Sequence, residues 1–233
     1  MLTQGGVKAF DRGVYNNNDR LDTDCNCTPY MRNWSEYVAS VYGNSDLDTL
    51  KNAFADIIMD EYAERYGTKI DGWWFDQGDQ ANKTRIAETI RRHNPNVVAA
   101  YGYGQKVPLI VNLPGIEDYT SGHPHPVKTT PPNSVDNLPM IESIEATEDG
   151  FLVAETGEKS LGHMFIPLCT SWNGYNSPRV WNVSQASEWM SRVEVAKGAW
   201  TWNIPVDRDD KFHLFRQDHI DFIQEVLEEM NSL

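Results

Sequence analysis

Apolar residues recur every four positions between Ser45 and Gly67. Leu50, Phe54, Ile58, Tyr62 and Tyr66 fall on one stripe, with Leu47 and Ile57 beside it. That spacing predicts one face of a helix. Ser45 or Asp46 can cap its start and Gly67 can close its end. The pattern then changes to a short continuous apolar run, "KIDGWWFD", which predicts a buried strand over 69–75. A second helix is predicted over 79–93, with Asp79 as its cap, Ile86 and Ile90 inward, and Asn94-Pro95 as its stop. "NVVAAYGY" predicts a strand over 97–102, and the alternation in "MIESIEA" predicts another over 139–145. "HMFIPLCTSW" is a further short apolar run. Asn182 with Gln185 forms a capping box opening a helix whose buried face is Ala186, Trp189, Val193 and Ala196. "GAWTWNIPV" predicts a strand over 198–204, and a last helix over 215–231 buries Phe215, Phe222, Ile223, Val226 and Met230.

Helices alternating with strands imply a parallel sheet. The expected fold class is α/β, a (β/α) TIM-type barrel, with ligands beyond the carboxyl ends of the strands. Residues 1–233 are expected to form a single barrel-like catalytic domain. Residues 1–45 are expected to be irregular, since "VYNNNDRLDTDCNC" is rich in turn-forming Asn and Asp. A closed barrel has eight strands in about 250 residues. The predicted strands fall short of that, and a helix precedes the first strong one, so an incomplete or N-terminally truncated barrel is expected. The proline-rich stretch over 108–139 predicts a long ordered loop, where a rigid scaffold carries its substrate contacts.

Charge narrows the partners. Thirty-four acidic residues against 20 basic give a net charge of −14, which repels phosphate backbones, so no nucleic-acid partner is expected. No apolar run reaches membrane-spanning length, so no membrane partner is expected either. "MLTQGGVKAF" lacks the basic start and apolar core of a signal peptide. The three cysteines, Cys25, Cys27 and Cys169, make no disulfide framework. Cys25-Asn26-Cys27 has no second pair to complete a metal site. Eight tryptophans and ten tyrosines suit a carbohydrate ligand, whose flat C–H faces stack on aromatic rings with a polar edge.

Asp76 stands at the carboxyl end of its predicted strand, directly after Trp73, Trp74 and Phe75. With Asp79 as the helix cap, Asp76 is free for chemistry. Adjacent strand residues point to opposite faces, so one of Trp73 and Trp74 is core and the other can line a site. A retaining glycosidase needs two carboxyl groups about 5–5.5 Å apart, one nucleophilic and one protonated. Glu117, Glu142 and Glu145 are candidates for the second role, with Glu155 behind them; each reads equally as a solvated surface carboxylate. His123 is a further candidate, since imidazole can serve as general acid. Trp74, Asp79, Tyr101, Asn112, Trp172 and Trp202 form the candidate substrate-binding set. His123 and His125, with His163, are the residues from which a metal site would be drawn, but no metal or cofactor is expected.

"YAERYGTKIDGWWFDQGD" resembles the nucleophile segment of the retaining α-L-fucosidase family, in which the final Asp attacks the sugar. "SWNGYN" resembles that family's Ser-Trp-Gly-Tyr segment, and "EWMSRVEVAKGAWTWNIPVDRD" is similar to its closing helix and strand. The resemblance runs in order over roughly residues 49 to 230. It implies Asp76 as nucleophile. It does not supply the acid: His123 stands where the family has Glu, and His163-Met164 stands where it has Trp-Glu. Ala199-Trp200 replaces its Gly-Asn. The expected function is a fucosidase-like retaining hydrolase cleaving a terminal sugar. The alternatives are a catalytically inactive carbohydrate-binding relative and a metal-dependent hydrolase built from Asp76, Asp79 and the histidines.

Overall fold

The first helical layer breaks the stripe that the sequence predicts. The computed structural model describes residues 29–75, 82–102, 107–123, 137–170, 176–206 and 215–232. Helix α1, Pro29–Tyr42, lies in the segment expected to be irregular. It forms because Ser35 and Val38 have a buried place to go, Val38 clustering with Leu50 and Ala53. Next come α2 (Leu47–Ala53), a π-helical turn (Phe54–Met59) and α3 (Asp60–Tyr66). Asp46 caps α2 by accepting from the Thr49 N–H, and Gly67 closes α3. The π turn takes an extra residue and rotates the stripe. The buried positions become Leu50, Ala53, Ala55, Met59 and Ala63, while Tyr62 and Tyr66 are 37% and 43% exposed and stack on each other.

Strand β1, Gly72–Phe75, pairs in parallel with β2, Val98–Tyr101, with Trp73 opposite Ala99 and Phe75 opposite Tyr101. Between them lies α4, Lys83–His93, which buries Ile86 and Ile90 as expected. Its cap is Asn82, whose side chain accepts from the Arg85 N–H. The cap position expected at Asp79, which lies outside the described residues, is thus held by Asn82, and the helix begins four residues later than predicted. Asp56 and Asp60 tie the π turn and α3 to Arg85, Arg92 and His93 of α4. These elements belong to a first unit, Met1–Gly104 with Ile116–Asp118.

The second unit is Gln105–Gly115 with Tyr119–Leu233. Residues 137–145 are a helix, α5 (Asn137–Glu145), where a strand was expected. Met140, Ile141 and Ile144 are fully buried, and positions i, i+1 and i+4 share a helical face. A hairpin of β3 (Phe151–Val153) and β4 (Lys159–Leu161) follows, which the sequence reading omits. Then β5 (His163–Pro167) pairs in parallel with β6 (Ala199–Asn203). Helix α6, Val183–Val195, connects them behind the expected Asn182–Gln185 capping box. The last helix, α7 (Gln217–Met230), buries Phe222 and Val226, but Phe215 lies outside it and is 49% exposed. Met164 and Ile166 of β5 pack with Trp181, Trp189, Val193, Phe222 and Val226 in one core.

The class is α/β, and the described residues form two parallel pairs and one antiparallel hairpin. The described residues form no closed barrel. No helix among them is long and apolar enough to cross a membrane.

Candidate active site

The aromatic run ahead of Asp76 locks the end of β1. Phe75 stacks on Tyr101 with ring centroids 5.0 Å apart, and on Trp73 at 5.9 Å. Trp73 is core and Trp74, on the opposite face, is half-buried. Gly102 is required beside it, since a Cβ there would come within 2.8 Å of the Trp74 indole. Asp76 follows the last residue of this strand in sequence; it, Asp79 and Trp172 lie outside the described residues. Tyr101 is only 2% exposed. Its hydroxyl donates to the Lys83 carbonyl at 3.3 Å, and burial pushes the phenol pKa up. It is thus placed in the core beneath the strand end. Glu117 is buried, 3% exposed, in a segment fixed to β2. Asp118 donates its N–H to the Ala99 carbonyl at 2.9 Å and accepts from the Ala99 N–H at 2.8 Å, while Arg91 donates to both carboxylate oxygens.

In the second unit, residues 119–123 run beside β5 in the parallel sense, with a bridge at Tyr119 and Leu161. The Thr120 N–H donates to the Leu161 carbonyl at 2.9 Å, and the Phe165 N–H to the Gly122 carbonyl at 3.0 Å. His123 emerges at the end of this segment, half-buried, its ring 6.1 Å from that of Phe165. Strand alternation sets the face. Met164 and Ile166 join the core with Trp200 and Trp202, so His163, Phe165 and Thr201 occupy the opposite side.

His163 is buried on that side. Its Nδ1 is 2.9 Å from the Thr120 carbonyl and its Nε2 2.9 Å from Thr201 Oγ1. A carbonyl can only accept, so Nδ1 carries the proton, and Nε2 of the neutral ring accepts from the Thr201 hydroxyl. Burial drives its pKa down to about 4, against weaker opposing hydrogen bonds to the backbone of Thr120 and Ser121. Both ring nitrogens are engaged, which removes His163 from the metal set. Among the described residues no group of three or more His, Cys, Asp or Glu is placed to hold a metal ion.

The remaining candidates sit elsewhere. Trp202 faces the helix-side core, 5.4 Å from Trp181 and 5.0 Å from Trp200, not the face of His123. Asn112 is half-buried in the loop after residue 106. Glu142 and Glu145 lie on the exposed side of α5, and the expectation that Glu142 shares a strand face with Met140 fails with the strand. Arg192 donates to both Glu145 oxygens, at 2.7 and 2.9 Å, and holds that carboxyl below its usual range. A shallow groove of about 790 Å³ beside α6 includes Glu145, Glu188 and Arg192. None of its lining residues lies on β5, β6 or 119–123, so this groove is separate from the histidine. Thr120, Phe165 and Thr201 were missed by the sequence reading. A signal was present for two of them: in "HMFIP" and "AWTWN", Phe165 and Thr201 alternate with large apolar residues.

A family model described as "Endo-alpha(1,4)-fucoidanase Mef1" matches residues 106–233, a span containing His123. No curated protein matches the chain. Among solved structures, the endo-fucoidan hydrolase P5AFcnA of glycoside hydrolase family 107 superposes with a TM-score of 0.71 at 20% identity, covering 86% of this chain and 60% of its own. MfFcnA4 of the same family gives 0.70 at 21%, covering 88% and 35%. At these identities the likeness is one of fold, and the chain spans less than two thirds of either relative's length. The α-L-fucosidase AlfC from Lactobacillus casei gives 0.47 at 12%, covering 75% and 43%, which carries no argument. The kinship therefore lies with fucoidanases and not specifically with the α-L-fucosidases that the motifs resemble.

Proposed function

This chain belongs to the family of the endo-α(1,4)-fucoidanase Mef1, and from that premise we propose that it hydrolyses internal linkages of a fucose polysaccharide by double displacement. Asp76 is the nucleophile and His123 the general acid and base. The observation carrying this reading is the position of His123, at the carboxyl end of a segment running with β5, inside the span that the family model matches. Of the rival acids Glu117, Glu142 and Glu145, the last two lie on an exposed helical face, one of them held by Arg192, while Glu117 is buried beside β2. In the first step the Asp76 carboxylate attacks the anomeric carbon while the His123 imidazolium gives its proton to the departing glycosidic oxygen. In the second, neutral His123 takes a proton from water, which displaces Asp76 and restores both groups. Trp74 and Trp172 serve as stacking surfaces, and Asp79 and Asn112 as hydrogen-bonding groups to the sugar. The two parallel pairs with covering helices support a (β/α)-barrel catalytic domain with its chemistry at the strand ends.

The test is digestion of an α(1,4)-linked fucoidan. Wild-type protein is expected to collapse the polymer's molecular mass early and yield oligosaccharides with the anomeric configuration retained. Release of single fucose from an otherwise intact polymer would return the reading to an exo-acting fucosidase. Asp76→Ala should abolish turnover, and His123→Gln should lower it about 10²–10⁴-fold. Turnover at the wild-type rate in Asp76→Ala would overturn the mechanism. Binding of the polymer without any turnover by wild-type protein would favour the inactive carbohydrate-binding alternative.

A further inference from the structure

The pairing between residues 119–123 and β5 is regular at both ends and broken in the middle. A parallel ladder that begins with the Thr120 N–H on Leu161 and ends with the Phe165 N–H on Gly122 should also join the His163 N–H to the Thr120 carbonyl. It does not. The His163 N–H donates instead to Thr120 Oγ1 at 2.9 Å, and the same hydroxyl donates to the His163 carbonyl at 3.1 Å. The Thr120 carbonyl, left over from the ladder and buried, is taken up by His163 Nδ1 at 2.9 Å. Thr201 on β6 then holds Nε2 at 2.9 Å.

Gly122 leaves this bulge with φ of +64°, and a Cβ there would lie 2.3 Å from the His163 carbonyl oxygen. The main chain entering His123 is therefore pressed against the backbone of the residue whose ring fills the broken rung. Tyr119 closes the other side, edge-on to the His163 ring at 5.2 Å.

We propose that His163 is a positioning residue for His123, its ring substituting for a rung of the ladder and so fixing where the 119–123 segment presents the His123 imidazole. The inference rests on the reading of His123 as the acid and base, and it assigns His163 and Thr201 a task in that reaction without contact to the sugar. An apolar residue at 163 would leave the Thr120 carbonyl unpaired in a buried place, and the segment would shift to reach water. A small displacement of a proton donor is costly in rate while leaving sugar binding in place. The neutral state of His163 suits this task, because a ring that took a second proton would lose its acceptor for the Thr201 hydroxyl.

The experiment compares His163→Leu, His163→Asn and Thr201→Val with wild type. It uses two substrates: the fucoidan polymer, and a fuco-oligosaccharide bearing a dinitrophenyl leaving group that departs without a proton. The ring resonances of His123 are followed by NMR across pH. His163→Leu should lower kcat on the polymer by about 10²-fold with KM little changed. On the dinitrophenyl substrate the loss should nearly vanish, and the His123 resonances should move. His163→Asn, whose amide can still donate to the Thr120 carbonyl, should recover most of the rate. Thr201→Val, at an exposed position, should give a smaller loss of the same kind; it decides the matter if His163→Leu does not fold.

Equal losses on both substrates, no recovery with Asn, or unmoved His123 resonances in folded variants would overturn the positioning role. Full activity in His123→Gln would instead remove the acid assignment, and the NMR shift would still report whether His163 sets the His123 ring.

Discussion

Each unit holds a two-stranded parallel pair with aromatic rings on its strands, and what surrounds the two pairs differs. In the first, the surroundings of β1 and β2 are stitched by charge: Arg91 with Asp118, Arg85 with Asp56, and Arg92 and His93 with Asp60. In the second, β5 and β6 lean on aromatic bulk. Trp181, Trp200 and Trp202 meet one another edge-on, with Phe222 and Trp189 around them. Its buried polar groups include two neutral imidazoles, His163 and His219, both with pKa values lowered first of all by burial. Ion pairs half-open to water contribute little each, whereas a buried ring contributes its whole desolvated area. The units should therefore respond differently to truncation and to acid.

The largest effect is expected in the aromatic unit. Trp202→Ala removes a ring that contacts Trp181, Trp200 and Phe222, and should cost about 3–5 kcal/mol in denaturant unfolding. A loss near that of an exposed residue would mean that the cluster does not carry the unit.

Acid should separate the units next. His163 has a folded pKa of about 4 against 6.5 ordinarily, so the unfolded chain binds the proton first. Its contribution to stability is complete above about pH 6.5, falls as pH drops through the window, and is gone near pH 4, on the order of 3 kcal/mol in all. His219 acts in the same direction. In the first unit, hydrogen bonding from His93 and then Arg92 holds the Asp60 carboxyl below its usual 3.8. That contribution survives to lower pH, being lost only as pH falls through the lowered value. Amide exchange between pH 7 and 4.5 should thus accelerate in β5 and β6 before β1 and β2. His163→Asn should flatten the difference.

The smallest effect belongs to Asp118→Ala, which strands the buried Ala99 N–H and removes the ion pair with Arg91. About 1–3 kcal/mol is expected, read by thermal unfolding. A larger loss than that of Trp202→Ala would invert the comparison.

Strands and helices that bury one continuous apolar face were legible from spacing alone, as with β1, β2, β6 and α6. The errors came where one spacing fits two structures. Met140, Ile141 and Ile144 satisfy a helix, yet "MIESIEA" also alternates. Asp79 and Asn82 are both good caps, and only the observed start of α4 chooses Asn82. At the site, a histidine in place of the expected glutamate was visible at position 123, but its support was not. That support depends on Thr120, Gly122, His163 and Thr201 meeting across strands, a pairing register that one sequence does not reveal. Trp202 was read as a sugar-facing ring because tryptophan suits that task, while the β6 alternation sends it to the core with Trp200.

The extra residue in the π turn at Phe54–Met59 has a consequence for comparing this chain with its kin. A protein that built the same layer as one unbroken α-helix would do so with one residue fewer. Any alignment forbidding gaps inside helices would then run out of phase from Asp60 onward. It would match Tyr62 with a core position, and would carry the same one-residue slip through β1.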